Sequence, residues 1–240
     1  MKVFKDRVAV ITGAASGFGR EFALIGARLG MKLVLADVQQ DALDKTKAEL
    51  EQLGTQVIAL RCDVRHAEQV QALADADIPV ISAINGPAVG AGLSFALAVD
   101  IVVMARSAYL MLAFANIGLV PDAGATWLVA KSAGRAKALE MALLGEKVSA
   151  EQALDLGLVT RLAEDDAVLA DATAIAARLA AGPSIALGLI RKQIAAALNM
   201  TLIETFEVEK ANQQAAGRTR DYREAVNAFA EKRKPQFKGQ

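Results

Sequence analysis

Two stretches of the chain carry residues able to do chemistry. The first is Asn85-Gly86-Pro87-Ala88-Val89-Gly90-Ala91-Gly92, joined by a further run to Val120-Pro121-Asp122-Ala123-Gly124-Ala125-Thr126. Small residues opening a helix let the backbone N–H groups at its start approach a ligand closely. Asp122 is one carboxylate set in a Pro/Gly turn beside a second expected helix start. Preorganised N–H donors with a positioned base suit removal of a proton next to a carbonyl, the donors holding the enolate that forms. On spacing alone, Asp122 serves equally well as a helix-start cap.

The second stretch is Gly13-Ala14-Ala15-Ser16-Gly17-Phe18-Gly19, placed after the β-rich run Arg7–Thr12 and before a helical pattern. Gly13 permits a tight turn, Gly17 lets a pyrophosphate near the backbone, and Gly19 lets the helix pack on the strand. Asp37 ends the next apolar run, eighteen residues beyond Gly19. There it would accept hydrogen bonds from adenosine ribose hydroxyls and repel a 2′-phosphate, favouring NAD over NADP. The candidate cofactor-binding set is Gly13, Ser16, Gly17, Phe18, Gly19, Asp37, Asp63 and Val64. The plainer reading is that the glycines permit a turn and nothing more. Asp63 is either a helix N-cap or a neighbour of adenine.

The elements that must position these residues follow from length and pattern. The 240 residues make one large or two small domains, and 54% hydrophobic content is ample for a core. Lys and Arg total 27 and Asp and Glu total 27, so no basic footprint argues for nucleic acid or an anionic membrane surface. One cysteine, Cys62, excludes a disulfide framework and zinc clusters, and no metal is expected. The single histidine, His66, stands at a poor position for a triad and reads as a surface or capping residue. No charge occurs between Asp77 and Asp100, but Asn85-Gly86-Pro87 breaks that run into a buried strand and a short helix rather than a membrane span. No signal peptide is read at the N-terminus, and a soluble cytoplasmic protein is expected.

Residues 7–76 read as βαβαβα: strands at Arg7–Thr12, Lys32–Ala36 and about Gln56–Arg61, with helices to Leu29, over Gln40–Leu53 and over Ala67–Ala76. Beyond Ile78 come strands at Val80–Ile84, Ile101–Ala105, Tyr109–Leu112 and Leu158–Leu162. Helices are expected over 91–98, 125–131, 135–144 and 149–156, then over 165–180, 183–197, 201–216 and 221–232. The apolar faces of these last helices exceed what one small sheet covers, so a homo-oligomer is expected.

Thr12-Gly13-x-x-x-Gly17-x-Gly19, Asp37 and Asp63-Val64 resemble the N-terminus of the short-chain dehydrogenase/reductase family over about residues 3–76. That family also uses a Ser with Tyr-x-x-x-Lys. Here the tyrosines are Tyr109 and Tyr222, and four residues on stand Ala113 and Val226, so its hydride chemistry is absent.

Residues 78–240 resemble the crotonase (enoyl-CoA hydratase/isomerase) superfamily. The resemblance rests on Ile78–Gly92, Ala98-x-Asp100, Gly118-x-x-Pro121-x-Ala123-Gly124, Ser149-Ala150-x-x-Ala153-x-x-x-Gly157-Leu158-Val159 and the ending Arg223–Gly239. Within it, Val120-Pro121-Asp122-Ala123-Gly124-x-Thr126-Trp127 looks most like the ring 1,2-epoxyphenylacetyl-CoA isomerases. The resemblance implies a CoA thioester substrate, the Ala91 N–H as one oxyanion donor, and Asp122 as the isomerases' catalytic aspartate. The two glutamates that activate water in the hydratases fall at Ser94 and Phe114, neither of them a base. Isomerisation is therefore favoured over hydration.

Together these readings imply an α/β chain with a Rossmann-like half over residues 1–77, a crotonase-like half over 78–182 and a helical C-terminal oligomerisation region over 183–240. The superfamily's own first half, with its other oxyanion donor and much of its CoA pocket, is expected to be missing, and activity to be impaired accordingly. The alternatives are an NAD-binding module without dehydrogenase chemistry and an inactive chimera.

Overall fold

The computed structural model describes residues 8–12, 14–61 and 75–240. Its first elements alternate as β1 (Val8–Thr12), α1 (Gly17–Arg28), β2 (Lys32–Asp37), α2 (Gln40–Gln52) and β3 (Val57–Arg61). The three strands form one parallel sheet in the order β1-β2-β3, with Val10 opposite Val34 and Leu35 opposite Ala59. Period-two alternation puts Leu33, Leu35 and Asp37 on one face, and all three are buried. α1 presents Ala23, Leu24 and Ala27 and α2 presents Leu43 and Leu50, each set a single helical stripe, to one apolar cluster with β2.

The next elements are β4 (Ile81–Ile84), β5 (Ala88–Val89), α3 (Ala91–Leu97), β6 (Ile101–Ala105) and β7 (Tyr109–Met111), followed by a 3-10 turn at Ala115–Ile117 and α4 (Ala125–Leu144). After them come β8 (Val148–Ser149), α5 (Ala150–Asp155), β9 (Arg161–Ala163), α6 (Val168–Ala180), α7 (Ser184–Ala197), α8 (Leu202–Gly217) and α9 (Arg220–Ala230). β6 runs parallel between β4 and β9, and its residues from Val102 to Ala105 are buried, as befits a strand covered on both faces. A smaller sheet pairs β5 with β7 in parallel and β7 with β8 antiparallel. α4 bends at Gly134, whose φ of 77° and ψ of 163° interrupt it, so it is in effect the two helices that the sequence leads one to expect.

Three ties hold this part together. Asp100 accepts from the Val80 N–H at 2.7 Å and from Arg191 Nε at 2.8 Å, fastening the start of β4 and helix α7 to the loop before β6. Arg191 also donates to the Ala76 carbonyl. At the C-terminus the buried Asp221 carboxylate accepts the Lys238 and Gly239 N–H groups, each at 2.8 Å, and so pins the tail to α9.

The expected strand at Leu158–Leu162 lies instead at Arg161–Ala163. The apolar pair Leu158-Val159 belongs to the end of α5. Gly157 is left-handed (φ 70°), its N–H donates to the Leu154 carbonyl at 3.0 Å, and the Leu158 N–H donates to the Ala153 carbonyl at 2.9 Å. That is a Schellman ending, whose apolar residue after the glycine packs back on the helix. β5 and β8, two residues each, were not expected from the sequence. Gly13, Cys62, Asp63, Val64, His66 and residues 67–74 of the helix expected over 67–76 lie outside the described residues.

Among the described residues no single helix is long and apolar enough to cross a membrane. The uncharged run after Asp77 resolves into β4, β5 and α3.

Candidate functional site

α3 opens on Gly90, whose φ of 56° and ψ of −129° suit glycine and few other residues. The Gly90 N–H is used by the Met111 carbonyl at 3.0 Å, which fixes the turn to β7. Ala91 is therefore the first helical residue, and its N–H has no partner among the described residues. Leu93, Ser94 and Leu97 point inward and are buried.

Ser94 stands one turn along from Ala91. It has no exposed surface, and its hydroxyl donates to the backbone carbonyl of Asp122 at 3.2 Å. This bond fastens the Asp122 turn to α3 one helical turn along from the free Ala91 N–H. The same carbonyl accepts the Ala125 N–H at 3.0 Å, and α4 begins there. Between them Ala123 (φ 49°) and Gly124 (φ 80°) are both left-handed.

Gly124, not Asp122, occupies the N-cap position of α4, and no side chain caps that helix. The Asp122 carboxylate is exposed and has no hydrogen bond or ion pair among the described residues. The capping role that spacing alone allowed is thus unused. Leu119 and Val120, just before it, are exposed apolar residues, as is Trp127 just after it. Phe114 is buried, its ring at the distance of ordinary contact from where a Gly90 side chain would begin, 3.8 Å. Ser94 and Phe114 therefore touch the two turns that frame the site. Ser94 could have been singled out as the one hydroxyl in an otherwise small and apolar helix.

The N-terminal candidates group elsewhere. Ser16 precedes α1 in extended conformation with an exposed side chain that caps nothing, and Gly17 begins the helix with φ 51°. Phe18 and Gly19 continue the helix backbone. Asp37 ends β2, but its carboxylate is already engaged: Oδ2 accepts the Ala15 N–H at 2.8 Å and Oδ1 the Gln39 N–H at 3.0 Å. It ties the loop after β1 to the end of β2 instead of standing open to a ribose. α3 approaches both β1 and β4, so the two groups of candidates share a border. Among the described residues no group of three or more His, Cys, Asp or Glu side chains is gathered as a metal site would need.

A family-level comparison matches residues 53–240 to enoyl-CoA hydratase/isomerase. The chain belongs to the enoyl-CoA hydratase/isomerase family. It is 46% identical over 170 residues to a 1,2-epoxyphenylacetyl-CoA isomerase of Escherichia coli (strain K12), covering 71% of this chain and 65% of that protein. It is 34% identical over 162 residues to a mitochondrial enoyl-CoA hydratase of Pongo abelii, covering 68% of this chain and 56% of that one. The chain thus spans from over half to about two thirds of the length of the curated relatives it matches. In fold it is similar to the crystal structure of an enoyl-CoA hydratase from Polaromonas sp. JS666, with a TM-score of 0.71, 26% identity, and 98% of this chain and 97% of that one covered.

The family match begins at residue 53, well before the boundary drawn at 77, and the fold alignment takes in nearly the whole chain, β1 to β3 included. The comparisons report one family, and a separate dehydrogenase-like, NAD-binding half over residues 3–76 is not among what they show. The enoyl-CoA hydratase/isomerase fold with its helical C-terminus accounts for the architecture.

Proposed function

We propose that this member of the enoyl-CoA hydratase/isomerase family isomerises an acyl-CoA thioester, an enoyl- or epoxyphenylacetyl-CoA, rather than hydrating one. The observation that carries the reading is the unpartnered Asp122 carboxylate, tied through Ser94 to the helix that opens with the free Ala91 N–H. The Ala91 N–H receives the thioester oxygen. Asp122 takes a proton from the carbon chain, negative charge collects on that oxygen, and the proton returns at another carbon. The isomerase among the relatives supports this choice, as does the absence of a base at Ser94 and Phe114.

Asp122→Asn keeps the shape and removes the base, so isomerisation of 3-hexenoyl-CoA should fall by about 10²- to 10⁴-fold with folding intact. Unchanged turnover in that variant would refute the assignment.

A second reading concerns NAD. It is supported by three parallel strands linked through α1 and α2, with Ser16 and Gly17 following the carboxyl end of β1, where open α/β sheets bind ligands. Asp37→Ala would also release the Ala15 loop, so the cleaner test is NAD titrated into the unaltered protein. Saturating NAD should raise the melting temperature, a ligand at a hundred times its Kd adding about 2.7 kcal/mol. No shift would end this reading.

A homo-oligomer is part of the proposal. Ile203 and Phe229, 75% and 87% exposed, lie on α8 and α9 with Leu202 and Phe206 also exposed, a concentration of open apolar surface suited to a subunit contact. Sedimentation at the mass of a single chain across the micromolar range would exclude it.

A further inference from the structure

We propose that Ser94 is a positioning residue for Asp122, a role that rests on the isomerase reading above. Its hydroxyl is wholly buried and donates to the Asp122 carbonyl at 3.2 Å, joining α3 to a turn 28 residues away in sequence. It is the one hydrogen bond between α3 and residues 121–124 among the described residues. The turn it holds needs holding. Ala123 is left-handed at φ 49°, a conformation that persists in a residue with a side chain when neighbouring structure imposes it. The imposed bonds are two, and both fall on the same oxygen: Ser94 Oγ from one side and the Ala125 N–H, at 3.0 Å, from the other.

The consequence is geometric. The Asp122 carboxylate has no partner of its own among the described residues, so its position relative to the Ala91 N–H is set by its backbone, which Ser94 and the Ala125 N–H hold together. One helix therefore delivers the oxyanion donor at its first residue and fixes the base from its fourth. Ser94 neither donates to nor takes a proton from the substrate. It acts through Asp122.

Four proteins test this: Ser94→Ala, Ser94→Thr, Asp122→Asn and the Ser94→Ala/Asp122→Asn double variant, with 3-hexenoyl-CoA as the probe. Ser94→Ala should lower kcat about tenfold to a hundredfold with KM within about twofold, since a small misplacement of a reacting group costs on this scale. Ser94→Thr, which keeps the hydroxyl, should return kcat to within about threefold of the unaltered protein by the same geometry. In the Asp122→Asn background the Ser94→Ala change should have no further effect, as expected of two residues acting as a unit. A second readout is independent of activity. Backbone amide exchange at Ala123 to Ala125 should quicken at least about tenfold in Ser94→Ala and recover in Ser94→Thr, because the turn opens locally when its tie is cut.

Unchanged exchange and unchanged kcat in Ser94→Ala overturn the proposal, whatever Asp122→Asn does. An equal loss in the Asp122→Asn background also overturns it, since Ser94 would then act on something else. If instead Asp122→Asn retains full turnover while Ser94→Ala loosens the turn, the isomerase reading has failed and the tie itself has not.

Discussion

Gly90 decides where the first N–H of α3 points. With φ at 56° and ψ at −129° it lies in a region closed to residues with a side chain, and its own N–H is spent on Met111. Space is not the obstacle, because a side chain there would reach Phe114 at no less than 3.8 Å. Backbone strain is. Gly90→Ala should therefore cost about 1–3 kcal/mol, read as a lower urea midpoint, and should lower kcat by moving the Ala91 N–H. An unchanged midpoint would mean the turn relaxes freely. At this scale the sequence shows the small residues that open α3 and the carboxylate in its turn, because residue type alone marks them. It does not show that Ser94 reaches Asp122 or that Asp37 is already occupied by the Ala15 and Gln39 N–H groups. The bonds of Ser94 to Asp122 and of Ala15 to Asp37 join residues 28 and 22 positions apart, which no local pattern reveals.

Among the elements, those with their own local signals are legible. Gly30 and Gly54 end α1 and α2, and Ser149 opens α5 with a full capping box to Gln152. Val148–Ser149 and Ala88–Val89 are too short for any periodicity, and they become strands because Tyr109–Met111 offers them an edge. The tail after α9 is held by side chains whose charge depends on pH. Arg233 donates to both oxygens of Glu224, at 2.6 and 3.0 Å, and the Gln236 N–H adds a third bond at 2.9 Å. The guanidinium first and that N–H second hold the Glu224 carboxyl down from 4.5 to about 2. Because the folded value is the lower one, the contribution is complete above the ordinary value of 4.5 and is lost as pH falls from there through about 2. Glu224→Gln should thus unfold at lower urea than the unaltered protein at pH 7, and the gap should close as pH falls through that window. The pair is at the surface, so the gap will be small. A gap of constant size would show that charge on Glu224 is not what fastens the tail.

Over the whole molecule, the division that sequence motifs draw near residue 77 has a physical counterpart, though not the expected one. A glycine loop and an acidic residue are compatible with several parallel α/β arrangements, so the motif over residues 12–37 does not identify a family, whereas the ordered residues of the second stretch do. What the structure contains at this border is two apolar clusters. Among the described residues one joins Leu33, Leu35, Leu43 and Leu50, and the other joins β4, β6 and β9 with α3, α4 and α6, with no member in common. Clusters that share no side chains need not melt together. Urea unfolding should then show two steps, the smaller belonging to β1 to β3. Trp127, beside the candidate site, should report only the later one by its fluorescence, while far-ultraviolet dichroism reports both. A single coincident transition would mean that the contact of α3 with β1 couples the clusters fully. If the steps are separate, a thioester held at Ala91 and Asp122 would shift the later midpoint and leave the earlier one where it was, so the protein could lose its N-terminal layer while its substrate was still in place.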